Sequence, residues 1–311
     1  MVLALTVNII VQYLKLRDEN LFFEISQRLN AESDVLMLGS SVNGHIAKGE
    51  TDTRRISEVL NDLVTEFNIN HVSRGSASFT NYFAYLRYKE RKNSLPEKII
   101  VPINIQSYSP FNCMRPEYRT LQVNENIYLN YGVVPYIMRH FVPFFQKQYS
   151  SISHEKYERQ ELFKNNVKVG TVGKYMVVDE YRIKGDSAKI ADAFMVSYMV
   201  DLDSATVEKN LTGIIDLCKR NNLELFFYAT PIDYQAGVKF KGEAFIQKVK
   251  ENNEYVFSII KEQSTAPIFD YTFSLDSTYF DYEILPNPHM YLKGKMFVAK
   301  SLKEDIFKLE H

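Results

Sequence analysis

At 311 residues the chain can bury a large core, as one α/β domain or one domain with a sizeable insertion. Hydrophobic residues at 45% and charged residues at 24% are those of an ordinary globular protein. A formal charge of −1, with no basic stripe, speaks against nucleic acid as a partner. The two cysteines, Cys113 and Cys218, have neither metal nor redox spacing and read as reduced thiols, Cys218 on the inner face of a helix. Tyr and Phe, 21 of each, suit a core or a carbohydrate-facing cleft equally well.

Residues 1–30 read as an N-terminal helical segment. Met1 to Leu14 is apolar apart from Thr6, Asn8 and Gln12. That is shorter than the roughly 20 residues a spanning helix needs, and it lacks a signal peptide's basic start and cleavage site. Two readings stand: the tail of a trimmed membrane anchor, or a helix packed on the domain. Lys15 to Asn30 continues as an amphipathic helix, with Leu16, Leu21, Phe22 and Ile25 as its apolar points. At the other end Leu309-Glu310-His311 looks like the start of a histidine tag, and 31–308 is taken as the domain.

Val35 to Leu38 predicts a short strand buried on both faces, broken by Gly39 and followed at once by Ser40 and Ser41. Thr53 to Phe67 predicts a helix, Ile69 to Ser73 a strand, Thr80 to Lys92 a helix and Lys98 to Ile105 a strand. This β-α-β-α-β alternation argues for a parallel sheet covered by helices. Residues 107–186 then lose any clean period. They are read as an insertion or cap after the third strand, with a short helix over Tyr136 to Gln148 and a strand or hairpin over Val167 to Val178. Helices follow at Ser187 to Met199 and Ser204 to Asn221, a strand at Leu223 to Ala229 and a helix at Gly242 to Glu262. A short strand at Pro267 to Tyr271 and a last helix from about Met290 to Phe307 complete the chain. Repeats and low-complexity tracts are absent.

Four polar positions fall after successive strands or near the C-terminus: Ser41, Gly75, Asn104 and His289. Acyl transfer to a hydroxyl needs a nucleophile, a base within hydrogen-bond reach and donors aimed at the developing oxyanion. Ser41 can be the nucleophile and His289 the base, with the Ser41 and Gly75 amides and the Asn104 side chain as oxyanion donors. Each also has a plainer reading. Ser41 can simply cap a helix, Asn104 can satisfy backbone groups, and His289 can be an ordinary helix-start residue. His45 follows Ser41 by four residues and, on a continuing helix, points elsewhere. His71, His140 and His154 have no metal spacing, the glycine-rich phosphate fingerprints are absent, and so neither a metal nor another cofactor is expected.

Taken in order, these residues resemble the SGNH (GDSL-like) hydrolases and their acyltransferase relatives. The first block appears as Gly39-Ser40-Ser41, the second as Gly75, the third as Pro102-Ile103-Asn104 and the last as Pro286-Asn287-Pro288-His289 with Gly294. The resemblance covers about 34–106 and 222–306. It implies a three-layer α/β/α flavodoxin-like fold with a central parallel five-stranded sheet. It also implies a serine-dependent esterase or O-acyltransferase acting on an acylated, in particular acetylated, saccharide or cell-envelope polymer. Gly-Ser-Ser with an insertion looks most like the membrane-anchored, extracytoplasmic branch; the alternative location is the cytoplasm. Three positions depart from the family pattern: Ser40 for an aspartate, Pro102 for a glycine, and Pro286 for the triad aspartate. Asp281 or Asp276 is then the candidate partner of His289, and without one the cleft would bind glycan or a partner protein rather than catalyse. A flavodoxin-like protein binding phosphate or flavin at the Ser-Ser turn is a third reading. Oligomeric state is not legible.

Overall fold

A computed structural model describes residues 22–47, 49–109, 112, 116–132, 135–136, 187–281 and 288–307. Five strands form one sheet: β1 (Val35–Gly39), β2 (Ile69–Ser73), β3 (Lys98–Ile103), β4 (Glu224–Ala229) and β5 (Ile268–Asp270). All neighbours pair in parallel, in the order β2-β1-β3-β4-β5. This is the flavodoxin-like order, and the expected α/β fold with a parallel five-stranded sheet is the fold the chain adopts.

The helices in chain order are α1 (residues 22–30), α2 (Ser41–Gly44), α3 (Ile56–Leu63), α4 (Phe79–Arg91), α5 (Pro116–Tyr131), α6 (Ser187–Tyr198), α7 (Ser204–Arg220), α8 (Tyr234–Lys241), α9 (Glu243–Gln263) and α10 (Leu292–Ile306). Strand side chains alternate, so each strand feeds two cores. Leu36, Leu38, Ile99, Val101, Ile103 and Phe227 meet α4, α7 and α9 on one face. Val35, Met37, Ile100 and Tyr228 meet α3 and α10 on the other. Burial on both faces is why these strands read as unbroken apolar runs.

Proline within a central strand has a local reason. Lys98 N–H donates to Asp34 and the Ile103 carbonyl accepts from Thr230, so even-numbered amides of β3 face β1 and odd-numbered groups face β4. Pairing with β1 ends at Ile100, leaving Pro102 where no ladder bond is lost.

Two helices depart from the expectation. Helix α5 lies in the stretch that showed no period, because it buries Gln122, Asn124, Glu125 and Asn130 alongside Ile127 and Leu129. Its start at Pro116 was the available signal. Helix α8 was obscured by Gly237 and Gly242; its cap is the Asp233 carboxylate, which accepts from Ala236 N–H at 3.0 Å. The expected short helix over 136–148 and hairpin over 167–178 fall almost wholly outside the described residues, as do residues 1–21, Cys113, Pro286 and the C-terminal Leu309-Glu310-His311. Cys218 is a buried free thiol, pushed up to about 12 by burial.

Gly237 gives a sharp test of packing against propensity. A Cβ there would lie 2.3 Å from the ring of Phe245, which is fully buried and cannot swing away. Helix propensity alone favours Gly237→Ala by about 1 kcal/mol, whereas overpacking costs about 1–3 kcal/mol. Net destabilisation is the expected result, read as a lower urea midpoint; a raised midpoint would show that the Phe245 pocket yields.

Candidate active site

The topological switch point lies between β1 and β3, and ligands of open α/β sheets bind there beyond the carboxyl ends of the strands. Here the chain leaves β1 at Gly39 and enters the four-residue helix α2. Asn43 folds back over Gly39, donating to the Leu38 carbonyl at 3.3 Å and accepting from the Tyr228 hydroxyl at 3.1 Å. A Cβ at Gly39 would sit 2.6 Å from the Asn43 amide, so glycine is required by close approach.

The two serines have different environments. Ser40 is buried, caps α2 by accepting from Val42 N–H at 3.4 Å, and is hydrogen-bonded to the Tyr82 hydroxyl. Ser41 opens the helix, is half-buried, and its hydroxyl makes no hydrogen bond among the described residues. The capping role weighed for Ser41 therefore belongs to Ser40.

The imidazoles hold the main correction. Helix α2 ends at Gly44, and His45 has extended backbone, its N–H held by the Ser41 carbonyl at 2.8 Å. The expectation that His45 points elsewhere rested on a longer helix. Instead its ring stacks on His289, centroids 4.0 Å apart and planes 11° apart. The second correction concerns Asp281, a candidate partner of His289. Its carboxylate meets His45 Nε2 at 2.8 Å, while its backbone N–H donates to the His289 carbonyl at 3.0 Å. The other candidate, Asp276, spends its carboxylate on the N–H and hydroxyl of Thr278. Burial, then the charges of His45 and Lys295, push His289 down to about 3. Lys295 is itself fully buried, 3.9 Å from a Glu50 carboxylate oxygen and 3.4 Å from the Arg54 carbonyl. His289 is thus neutral at neutral pH and able to accept a proton.

Gly75 follows β2 on an exposed turn where a Cβ would meet nothing within 4 Å. The turn is held from below. Arg74 donates to the Gly75 carbonyl at 3.1 Å and to Glu125 of α5 at 3.1 Å. Glu125 also accepts from Tyr85 at 2.8 Å and from Asn81. Arg74 and Glu125 are both buried, and no periodicity signals their pairing across 51 positions. Asn104, buried at the end of β3, keeps its side-chain oxygen without a hydrogen-bond partner among the described residues. The reading that Asn104 serves backbone groups finds no bond to carry it. An unsatisfied buried acceptor is costly. Gly294, at the start of α10, packs against Met290, whose Cβ would lie 3.0 Å from an added methyl.

No known family profile matches the chain, and no curated protein matches it significantly. Solved structures with some likeness include a chain from Streptococcus pneumoniae provisionally described as a platelet activating factor, at 12% identity and TM-score 0.41, covering 97% of this chain and 98% of that one. A variant acetyl xylan esterase from Geobacillus stearothermophilus also has 12% identity and TM-score 0.41, covering 91% and 99%. At these scores the likenesses carry no argument about chemistry, which rests on the residues above.

Two half-buried histidines make the fold sensitive to acid. His289 is pushed down to about 3, and His71 to about 4 by burial and the nearby Arg55 and Arg28. The unfolded chain, with histidines near their ordinary value of about 6.5, binds more protons between these limits. Stability is therefore full above about pH 6.5 and is lost as pH falls toward the folded values. Urea midpoints should drop across that window, with a shallower slope in His289→Gln; an unchanged slope would mean that His289 is solvated.

Proposed function

We propose that the chain is an SGNH-type serine esterase or O-acyltransferase acting on an acylated, in particular acetylated, saccharide or cell-envelope polymer. The observation that carries this reading is the carboxylate-imidazole-imidazole stack of Asp281, His45 and His289 beside the Ser41 helix. Ser41 attacks the acyl carbonyl while His289 removes its proton. The amides of Ser41 and Gly75 and the Asn104 side-chain amide receive the oxyanion. The protonated His289 returns its proton to the leaving saccharide oxygen, and water or an acceptor hydroxyl then takes the acyl group from Ser41. Asp281 acts through His45, offsetting the positive charge that appears on the stacked His289 ring. In this arrangement the carboxylate steadies the base from across a second imidazole, where a triad places it directly on the base.

A second reading has its own observation. The carboxylate holds His45, and burial opposes charge on His289, so a cleft that binds glycan or a partner without catalysis is the alternative. The location proposed with the first reading is the extracytoplasmic, membrane-anchored envelope. Among the described residues no helix is long and apolar enough to cross a membrane, and residues 1–21 lie outside them.

Incubation with p-nitrophenyl acetate and a fluorophosphonate probe separates these readings. Hydrolysis and labelling are expected in the natural sequence and in Ser40→Ala, and are lost in Ser41→Ala. His289→Ala should lower kcat by about 10²–10⁴-fold, the usual contribution of a positioned base. Labelling that survives Ser41→Ala but vanishes in Ser40→Ala would move the nucleophile by one residue. An unlabelled, inactive natural protein that still binds glycan would establish the second reading. Asp281→Asn should reduce kcat and leave KM near its starting value, because the group is placed to act only when His289 becomes charged.

A further inference from the structure

A second cluster of titratable groups lies behind the Ser41 helix, at the open edge of the sheet. His71 stands in the middle of β2, the edge strand, and its Nε2 receives two guanidinium donors. Arg28 reaches it from α1 at 2.8 Å and Arg55 from the start of α3 at 2.5 Å. Imidazole Nε2 has one lone pair, so it cannot satisfy both donors, and neither guanidinium can shed its charge. Nearby carboxylates relieve the conflict only in part: Glu58 accepts the Arg55 backbone N–H at 2.7 Å and acts on Arg28 and His71 at longer range, as Glu24 does on Arg28. Among the described residues neither Arg28 nor Arg55 forms an ion pair with a carboxylate. All three side chains are half-buried and remain open to solvent.

The cluster adjoins the candidate active site. A Cβ on Gly44, the last residue of the Ser41 helix, would lie 3.6 Å from Ser73 Oγ and 3.7 Å from Arg55 Nε. Gly44 lies three residues after Ser41 on this helix, roughly 4.5 Å of rise. Planar guanidiniums pair with carboxylate and phosphate oxygens through two parallel hydrogen bonds, and two forks meeting at one point fit a single oxyanion.

We propose that Arg28, Arg55 and His71 bind an oxyanionic substituent, a carboxylate or a phosphate, of the saccharide whose ester Ser41 attacks. The saccharide part of this statement rests on the esterase reading; the oxyanion site itself does not. An oxyanion here relieves the repulsion between the two guanidiniums and lets His71 become a third donor. His71, now held near 4 by burial and the two arginines, should then titrate at higher pH.

The test uses the full chain in its Ser41→Ala form, so binding is read without turnover. His71 imidazole resonances are followed by NMR during titration with inorganic phosphate and, separately, with glucuronate. Saturable movement of those resonances, with an upward shift of the His71 titration, is expected for at least one anion; the tighter arm identifies the substituent. Arg28→Gln and Arg55→Gln should each weaken binding by about tenfold or more, as loss of one charge-assisted pair requires. Absence of any His71 response, or a response undiminished in the doubly substituted protein, would overturn the site. Binding without ester hydrolysis would keep the site and count against the esterase reading alone.

Discussion

The closure of Asn43 over Gly39 is the interaction on which the rest of the site depends. One buried amide ties the carboxyl end of β1 to the hydroxyl of Tyr228 on β4, across the sheet's switch point. It allows the chain to turn so tightly that only a glycine fits beneath it. The turn sets Ser40 inward as the cap and leaves Ser41 outward at the head of the helix. The helix is four residues long because Gly44 ends it, and that brevity returns His45 toward His289. A longer helix, the natural expectation after a capping serine, would separate the two rings.

How far this was legible in the sequence follows from which side chains are apolar. The strands were readable because each supplies both faces of the sheet and so appears as a continuous run; their ends moved by only one or two residues. Ser41, Asn104 and His289 were readable as polar residues where an α/β sheet binds its ligands. The Asp281–His45 pair was not, since 236 positions separate the two residues and no periodicity links them. Nor was α5, which buries Glu125 and three amides among its few apolar contacts, Ile127 and Leu129. Hydrophobic pattern reports burial by apolar residues, and a helix that buries a polar network escapes it. Gly44 was the missed local signal, a helix stop read as part of the helix.

The polar helix also has a consequence for the shape of the cleft. Buried ion pairs stabilise little by themselves, but a partner removed from one leaves an isolated charge at high cost. Glu125 therefore ties α5 to Arg74, and Arg74 to the carbonyl of Gly75, with few alternatives available to any of the three. Segments that follow β3 in sequence thereby determine where the turn after β2 sits. Gly75 is held by its neighbour Arg74, and Arg74 is fixed by a side chain 50 residues beyond Gly75.

Charge around the site is uneven in a way that bears on the proposed acyl transfer. Lys295 and Arg74 are both buried, Lys295 3.9 Å from a Glu50 carboxylate oxygen and Arg74 on Glu125. Burial, with the charges of His45 and Lys295 behind it, is why His289 resists protonation at rest. In the proposed reaction, nearby positive charge favours negative charge on a carbonyl oxygen held between Ser41, Gly75 and Asn104. Transfer of the Ser41 proton to His289 in that scheme creates both charges together, so burial opposes one product of the step while the donors stabilise the other. Asp281 is hydrogen-bonded to His45, which stacks on His289, and this contact is placed to offset charge on the pair.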